Sequence, residues 1–326
     1  MSVLSMISVK MTDKPLISVI VLSYNSSEFV LSTLESIKRQ TYAGPVELII
    51  GDDCSQDESV PVCKQWIKAN QSRFARTLIL RPEENQGLVA NINSCLKQAQ
   101  GEWIKGIAAD DILTDNALDI LYNAAASGPR TYQFVNSAMY SFMDDEQIAQ
   151  PDKLRLMKAG KQAGEFTLND VFRKHTFWTN SPSFFFSKKL IEDIGYVPHL
   201  FRNIEDRPLV ATVLSKGYSI YRLETPTVFY RNNPASISNT AGGYRFAECN
   251  WRTYKEILRP SFGFLRAIDM DLRMLPDWFL MKRKKKDFVT RSFKLGSKII
   301  WFIYRTLTFA FTLRPTRVVR SQKGMS

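Results

Sequence analysis

The sequence predicts an α/β fold in which a mostly parallel β-sheet is flanked by helices. Two observations predict it: four apolar runs alternate with three helical patterns over residues 17–108, and polar residues follow each apolar run. Parallel neighbours need a long crossover between them, and a helix is the usual crossover. Strict alternation of strand and helix therefore indicates a parallel sheet.

The elements follow in order from the first strand. Residues 17–24 are nearly continuous in apolar character, as in a strand buried on both faces. Ser26 or Ser27 is then placed to cap a helix whose apolar residues recur at helical spacing from Val30. The later elements are strands at 46–51, 76–81 and 102–108, a helix at 60–69, and a helix that Gly87 opens.

Cysteine and histidine usage narrows the possible chemistry. The four cysteines form no C-x-x-C pair, which argues against a disulfide framework or a zinc site and suits the reducing cytoplasm. With only two histidines in the chain, carboxylates are the expected general bases. Neither a G-x-G-x-x-G motif after the first strand nor a G-x-x-x-x-G-K-[ST] motif occurs, so dinucleotide and P-loop sites are not expected.

The excess of positive over negative charge lies in the C-terminal tail. Residues 282–323 contain 13 of the 44 Lys and Arg residues of the chain but only one of its 32 Asp and Glu residues, Asp287. The rest of the chain therefore has 31 basic and 31 acidic residues. A nucleic-acid-binding enzyme more often carries its basic stripe on the folded domain, so no nucleic-acid partner is expected. The local excess of positive charge indicates that the tail acts as a tether.

The tail also contains an apolar stretch at residues 299–313, which Arg305 interrupts. A membrane-spanning helix needs about 20 residues, so this stretch is short. Flanking Lys and Arg, with Trp301 and Tyr304, fit a basic amphipathic helix in the headgroup region of an anionic membrane. The alternative is a C-terminal helix packed on the sheet with a solvated basic face.

Four segments of the chain are expected to be organised separately. They are a disordered leader at 1–14, in which Met1 or Met11 is the start, two parts of the α/β body at 15–115 and 116–245, and a helical, basic, membrane-associating segment at 246–326.

Polar residues follow each of the four predicted strands. They are Tyr24-Asn25, the acidic run 52–57, Glu84-Asn85 and Asp110-Asp111. Ligands of parallel sheets bind outside the carboxyl ends of the strands. Turn formation and helix capping are the alternative explanation, since Asp and Asn do both well. Acids after the second and fourth strands would repel each other unless a cation or a positively charged partner lay between them, which favours a site.

Asp110 and Asp111 follow a buried strand, so their side chains are expected to point in different directions. One can face the cleft while the other caps the next segment. A carboxylate of this kind suits Mg²⁺ or Mn²⁺, which need only one or two protein oxygens when phosphates supply the rest. The chain has no His or Cys cluster for a softer metal.

Four motifs carry a family resemblance: I-S-V-I-V-L-S-Y-N, D-D-C-S-Q-D, N-Q-G-L-V-A-N and G-E-W-I-K-G-I-A-A-D-D. In this order and spacing, residues 17–113 resemble the donor-binding half of the family 2 glycosyltransferases, which have the Rossmann-like GT-A fold. The resemblance continues through G-Y-V-P, I-E-D and Y-R-N-N-P-A-S-I-S to about residue 238, roughly two-thirds of the chain.

The resemblance implies an inverting, metal-dependent transfer of a sugar from a nucleotide-diphosphate donor. It makes residues 15–115 the nucleotide-sugar-binding half and residues 116–245 the acceptor-binding and catalytic-base half. Asp110 would bind Mg²⁺ or Mn²⁺, and Asp206, with Glu205 beside it, would take the proton of the acceptor hydroxyl. Tyr24 would lie near the donor base and Asp53 would accept a hydrogen bond from it. The implied donor-binding residues are Tyr24, Asn25, Asp53, Asp57, Asn85, Gly87, Asn91, Asp111 and Arg231. By pattern alone, Glu205-Asp206 is also the capped start of a helix.

The resemblance also implies a setting. Family members of this type build bacterial surface polysaccharides such as O-antigen and capsule, so a lipid-linked glycan is the expected acceptor. The expected location is the inner face of the cytoplasmic membrane, where the protein would be peripheral.

Two residues depart from the family pattern. Ala108 stands where the family often has Asp, and Asn233 stands where it often has His. Two other functions stay open. A sugar nucleotidyltransferase would need a Gly-rich, Arg-bearing loop after the first strand, where this chain has S-Y-N-S-S. A non-catalytic membrane scaffold with a degenerate transferase fold would explain Ala108 and Asn233.

Overall fold

The structure is a computed structural model that describes residues 14–126, 132–150, 153–160, 163–174, 181–232 and 243–283. The chain divides into two compact units. The first contains residues 1–241 and 252–261, and the second contains residues 242–251 and 262–326. The predicted leader up to residue 13, Asn233 and the apolar stretch at 299–313 lie outside the described residues.

The first hundred residues alternate strand and helix as predicted. The strands are β1 (Ile17–Ser23), β2 (Val46–Asp52), β3 (Arg76–Leu80) and β4 (Trp103–Ala108), and the helices are α1 (Val30–Lys38), α2 (Ser59–Asn70) and α3 (Leu88–Gln98). β1 is parallel to β2 and to β4, and β2 is parallel to β3. The predicted parallel sheet is confirmed, and the carboxyl ends of its strands lie at one edge.

The chain then extends this sheet with strands of both directions. The later elements of the first unit are β5 (Ile112–Leu113), α4 (Ala117–Ala126), β6 (Phe134–Phe142), β7 (Arg155–Met157), β8 (Gly164–Phe166), α5 (Leu168–Lys174), β9 (Phe184–Ser187), α6 (Lys188–Ile194), α7 (Asp206–Ser215) and β10 (Ile220–Arg231). The order along the sheet is β3-β2-β1-β4-β9-β6-β10-β5, with β7 beside β6 and β8 beside β10. β9 is antiparallel to both β4 and β6, so the sheet is mixed.

Burial on both faces of the sheet explains why these segments are strands. All seven residues of β2 are buried, and so are six of the seven in β1. Strands covered by helices on both faces need apolar side chains throughout instead of an alternating pattern. Where β4 meets β9, the rings of Trp103 and Phe185 stack with their centroids 5.2 Å apart. The helices and the mixed sheet therefore share one core.

The predicted cap of the first helix is wrong. α1 begins at Val30, and its N-cap position is Phe29, which makes no side-chain capping bond. The Ser26 hydroxyl donates to the carbonyl of Tyr24, and the Ser27 amide donates to Asp57. Both serines belong to the turn before the helix, because that turn is tied to the loop after β2.

Two further helices follow β10: α8 (Gly243–Thr253), which runs into a π-helical turn (Tyr254–Leu258), and α9 (Phe264–Arg283). The second unit contains most of α8 and all of α9, and in it the rings of Trp251 and Trp278 lie 6.4 Å apart. α9 exposes the apolar side chains Phe264, Leu265, Ile268 and Leu272. Among the described residues, none of the helices has the length and apolar character to cross a membrane.

Candidate active site

The carboxyl edge of β1 to β4 brings most of the predicted polar residues together. Tyr24 and Asn25 follow β1, the acidic run follows β2, Asn85 lies in the loop after β3, and Asp110 and Asp111 follow β4. Half of the Tyr24 side chain is exposed, at 52%. An exposed aromatic ring at this edge is available to a planar ligand group.

Asn25 ties the loop after β1 to the loop after β2. Its φ of 50° lies in the left-handed region, which Asn tolerates better than most residues. Its amide N–H donates to the Ser55 hydroxyl at 2.8 Å, and its side-chain oxygen accepts from the Gln56 amide at 2.9 Å. The described contacts of Asn25 therefore fix the backbone that presents Tyr24.

Asp57 joins the same two loops. Its carboxylate accepts from the amides of Ser27 and Ser59, each at 3.0 Å, and from the Ser59 hydroxyl at 2.5 Å. Burial alone would raise the pKa of Asp57, but the hydrogen bonds from Ser59 and Ser27 outweigh it and lower the pKa to about 2. The described contacts of Asp57 are structural, and its predicted contact with a donor stays a prediction.

Asp53 holds the start of α3. Its two carboxylate oxygens accept from the amides of Gln86 and Gly87, each at 2.8 Å, and Asn85 donates to its carbonyl at 3.0 Å. The N-terminus of a helix carries unpaired N–H groups that favour a carboxylate. A carboxylate oxygen has two lone pairs, so Asp53 retains capacity for the predicted bond to a donor base.

Asn91 is buried inside this arrangement. Its side-chain amide donates to the carbonyl of Gly51 at 2.7 Å, and 5% of the residue is exposed. A Cβ on Gly51 would lie 2.5 Å from the Asn91 side-chain oxygen, so the two residues fit only as they are. The described contacts of Asn91 join α3 to β2, and direct donor contact stays a prediction.

The loop before α7 is docked on the start of α3. Arg202 donates to the carbonyl and to the side-chain oxygen of Asn85, at 2.8 and 2.7 Å, and its own carbonyl accepts from Val89 at 3.1 Å. Asn203 accepts from the Leu88 amide at 3.2 Å. These bonds bring Glu205 and Asp206, which follow directly, to the sheet edge. No sequence pattern indicates this docking.

Gly87 permits the close approach. Its φ is 90°, and a Cβ there would lie 2.3 Å from Cγ of Arg202 and 3.0 Å from the Arg202 carbonyl oxygen. Only glycine adopts this backbone without strain and leaves room for the neighbouring loop. The prediction that Gly87 opens α3 is confirmed, since Gly87 occupies the N-cap position.

Arg231 holds the pair Asp110-Asp111. Its amide donates to Asp111 at 2.9 Å, and its Nε donates to the carbonyl of Asp110 at 2.9 Å. Its guanidinium lies between the rings of Phe29 and Phe142, 4.7 and 4.5 Å from their centroids. Another nitrogen pairs with Asp145 at 2.6 Å. Arg231 is buried and its described contacts join it to the acidic pair, and its predicted contact with a donor stays a prediction.

The two acids differ in burial, and the expectation that they point in different directions stays a prediction. Asp111 is fully buried and binds the end of β10 instead of capping the next segment, and its Oδ2 has no hydrogen-bond partner among the described residues. Burial raises the pKa of Asp111 well above its ordinary value, and the charge of Asp110 adds to the rise. Asp110 is partly exposed, and burial raises the pKa of its carboxyl too.

Asp110 fits a cation that a ligand helps to hold. No group of three or more His, Cys, Asp and Glu side chains occurs among the described residues, so a closed protein cage is absent from that part of the chain. Mg²⁺ and Mn²⁺ prefer oxygen ligands and accept one or two carboxylates plus phosphates. The partly exposed Asp110 carboxylate offers that chemistry.

Glu205 and Asp206 form the start of α7, and so the structural alternative holds as well. Glu205 is the N-cap residue and Asp206 lies in the first turn, where its carboxylate accepts from the Arg207 amide at 2.7 Å. Burial raises the pKa of Glu205 to about 7, the charge of Asp206 adds to the rise, and a hydrogen bond from Ser181 opposes it. The two adjacent carboxylates thus have different surroundings.

Comparisons with known proteins agree with this geometry. The profile of Glycosyl transferase family 2 matches residues 18–195, more than half of the chain. The chain belongs to glycosyl transferase family 2. The match begins in β1 and ends just after α6, so it includes the acidic edge and stops before the Glu205-Asp206 pair.

This family 2 glycosyltransferase is similar to a curated relative in sequence and to solved structures in fold. A putative teichuronic acid biosynthesis glycosyltransferase of Bacillus subtilis is 26% identical over 257 residues, which are 76% of this chain and 91% of that protein. The crystal structure of S. aureus TarS in complex with UDP-GlcNAc aligns with a TM-score of 0.61 and 17% identity, over 91% of this chain and 76% of that one.

A second solved structure is a mannosyltransferase from Pyrobaculum calidifontis in complex with GDP-Man and Mn²⁺. It aligns with a TM-score of 0.55 and 19% identity, over 91% of this chain and 84% of that one. The two likenesses confirm the predicted GT-A fold of this family 2 glycosyltransferase.

Proposed function

We propose that this protein transfers a sugar, with inversion, from a nucleoside-diphosphate donor to a glycan acceptor during synthesis of a cell-surface polysaccharide. One observation above all supports the proposal. The loop just before Glu205 and Asp206 is hydrogen-bonded to the start of α3, and the start of α3 is also hydrogen-bonded to Asp53. A candidate base and the candidate donor-binding edge are therefore parts of one hydrogen-bonded assembly.

The chemistry needs both parts. A nucleoside-diphosphate leaves when its developing negative charge is stabilised, and a Mg²⁺ or Mn²⁺ ion held by Asp110 would supply that charge. Asp206 would accept the proton of the acceptor hydroxyl as the hydroxyl attacks the sugar carbon from the opposite face. Tyr24 would lie against the nucleoside base, since its ring is exposed at the edge.

Names of relatives support the substrate class. The Bacillus subtilis relative is described as acting in teichuronic acid biosynthesis, and the two solved structures contain UDP-GlcNAc and GDP-Man. Family membership also supports a transferase over a sugar nucleotidyltransferase. A non-catalytic scaffold is separated from both by its lack of turnover.

The acceptor in this proposal is lipid-linked, and the protein is peripheral on the inner face of the cytoplasmic membrane. The support is the excess of 13 bases over one acid between residues 282 and 323. Each basic residue near an anionic leaflet contributes about 1 kcal/mol of binding. The exposed apolar side chains of α9 add surface that a headgroup region would cover.

The experiment is a turnover assay of a panel of nucleotide sugars with and without Mn²⁺, combined with thermal shift. A donor should raise the melting temperature in the presence of Mn²⁺, since a ligand that binds only the folded state stabilises it. Asp110→Asn should abolish the metal-dependent part of this shift, whereas Asp115→Asn, an exposed aspartate in the next turn, should not. Absence of turnover with every donor, with or without metal, would decide for the scaffold.

A further inference from the structure

Lys105 is a fully buried lysine in the middle of β4, and the family resemblance gives it no role. Lysines usually keep their ammonium group in water, because removing a charge from water costs free energy unless partners replace the water. A lysine at this position therefore needs an account of what its charge contacts.

The ammonium group of Lys105 contacts two segments. It donates to the carbonyl of Gly106 in its own strand and to the carbonyl of Pro182 in the 3₁₀ turn Ser181–Ser183. It also lies close enough to Asp111 for the two charges to attract each other. Its contacts thus extend from the acidic pair after β4 to a turn that is 77 residues away in sequence.

The turn Ser181–Ser183 is itself bound on both sides. Ser183 accepts from the Asn136 side chain at 2.6 Å and donates to the carbonyl of Ser137 at 2.8 Å. Ser181 donates to the carboxylate of Glu205. The turn therefore lies between Lys105 and the candidate catalytic pair, and it is the shared neighbour of the two acidic motifs.

We propose that Lys105 is a positioning residue for the transfer reaction, because its ammonium group fixes the turn from which Ser181 orients Glu205. The proposal rests on the proposed function. Lys105 is fully buried, so it is placed to act through the turn that it binds. It connects the strand that ends in Asp110 and Asp111 to the start of α7, so the distance between the metal-side acids and the base is set through it.

The test compares Lys105→Met, Ser181→Ala and the double variant in the full chain. Lys105→Met keeps an unbranched side chain that is one atom shorter and removes the charge and the donors. Misplacement of a reacting group by about 1 Å costs on the order of 100-fold, so kcat should fall about 10- to 100-fold. The KM for the donor should change less than about threefold, since the donor edge at Tyr24 and Asp53 keeps its contacts.

The double variant shows whether the two residues act together. If Lys105 acts through the turn, the kcat of the double variant should resemble that of the worse single variant, because residues in one network are not additive. Multiplicative losses, or a normal kcat for Lys105→Met, would overturn the proposal. Ser181→Ala removes only one hydroxyl group. If Lys105→Met does not fold, Ser181→Ala still tests the proposal, because a normal kcat in that variant would contradict the orientation of Glu205 by Ser181.

Glu47→Gln is the matched control. Glu47 is also a buried charge in the sheet, but it lies at the amino end of β2, where Arg76 and the Gln100 amide bind it. This variant should lower the melting temperature and leave kcat unchanged. A fall in kcat with Glu47→Gln equal to that with Lys105→Met would make the effect of Lys105 one of general stability, against the proposal.

A readout without activity separates this proposal from the proposed function. The hydrogen bond from Ser181 lowers the pKa of Glu205, so the pKa should rise in both Ser181→Ala and Lys105→Met. NMR titration of ¹³C-labelled glutamate measures it. If the wild type turns over no nucleotide sugar, the proposed function fails, and an unchanged Glu205 pKa in Lys105→Met would independently contradict the positioning role.

Discussion

Glu205 and Asp206 are adjacent carboxylates at the start of one helix, and their different surroundings lead to different predictions. The resemblance to the family's E-D pair predicts Asp206 as the base. Replacing it by Asn keeps the shape of the side chain and removes its basicity. Asp206→Asn should therefore keep donor binding, measured by thermal shift, and lower transfer by about 100-fold or more, measured by steady-state kinetics.

Asp193→Asn is the control for this variant, since Asp193 is an aspartate on α6 whose described contacts are with Lys189, at 2.7 Å, and with Tyr218. Its transfer rate should equal that of the wild type. Near-normal turnover by Asp206→Asn would show that Asp206 is not the base.

Glu205 gives a prediction about pH and stability. Its pKa in the folded protein is raised from 4.5 to about 7 by burial and by Asp206. Between these two values the folded state binds more protons than the unfolded state, so stability should fall as the pH rises from about 4.5 to about 7. The shift corresponds to about 3 kcal/mol at most.

Glu205→Gln, which is neutral at every pH, should flatten this part of the stability curve, measured by urea unfolding at several pH values. Glu192→Gln, an exposed surface change on α6, should leave it unaltered. An identical pH dependence in the wild type and Glu205→Gln would mean that Glu205 is ionised normally in the folded protein.

At the scale of elements, the start of α3 joins Asp53, which follows β2, to Arg202 in the loop before α7. Gly87→Ala should lower the free energy of unfolding by about 1–3 kcal/mol, because alanine is strained at a φ of 90° and its Cβ meets Arg202. It should also reduce transfer, because the loop that carries Asp206 must move.

Gly217→Ala separates these two effects. Gly217 has a φ of 86°, but a Cβ there meets nothing within 4 Å. It should cost stability through backbone strain alone and leave the transfer rate unchanged. Equal losses of transfer in the two variants would contradict a role for the joint between α3 and the loop.

Local pattern predicted the first four strands and three helices. The alternation of apolar runs and helices from Ile17 to Ala108 gave β1 to β4 and their parallel direction, because a helix lies between each strand and the next. β9 was not predicted. Its four residues are all buried between β4 and β6, so neither length nor alternation marks it as a strand.

The candidate site also has a part that local sequence patterns predict and a part that only long-range contacts determine. Motifs placed Asp53, Asp110 and Asp111 at the edge, since strand ends can be read from the sequence. The contacts of Lys105 with Pro182 and of Arg202 with Asn85 depend on segments that are 77 and 117 residues apart. Single residues of common types carry no periodic signal, so only the structure identifies these joints.

At the scale of the whole molecule, charge and apolar surface occur together near the C-terminus. Residues 282–286 are all Lys or Arg, and the described part of α9 exposes Phe264 and Leu265, each at 79%. If this region binds an anionic membrane, two components contribute to binding, one electrostatic and one hydrophobic. Attraction by the basic residues weakens as salt screens it, whereas burial of apolar side chains does not.

Two full-length variants separate the components in sedimentation assays with anionic vesicles. Changing residues 282–286 to Gln should weaken binding by about 100-fold or more, since each charge contributes about 1 kcal/mol, and should remove most of the salt dependence. The double variant Phe264→Ser, Leu265→Ser should weaken binding by a factor that is the same at low and high salt. Leu31→Ser, a change of an exposed leucine on α1, is the control and should bind as the wild type does.

Transfer should follow membrane binding only when the acceptor is in the membrane. Both variants should lose activity on a lipid-linked acceptor and keep it on a soluble acceptor mimic, because the tether acts by raising the local concentration of one substrate. Equal losses on both acceptors would mean that these residues support the fold of the enzyme. If the full-length protein does not bind anionic vesicles at low salt, the tail is not a membrane tether. The exposed residues of α9 would then be expected to form contacts between protein copies, which sedimentation velocity measures.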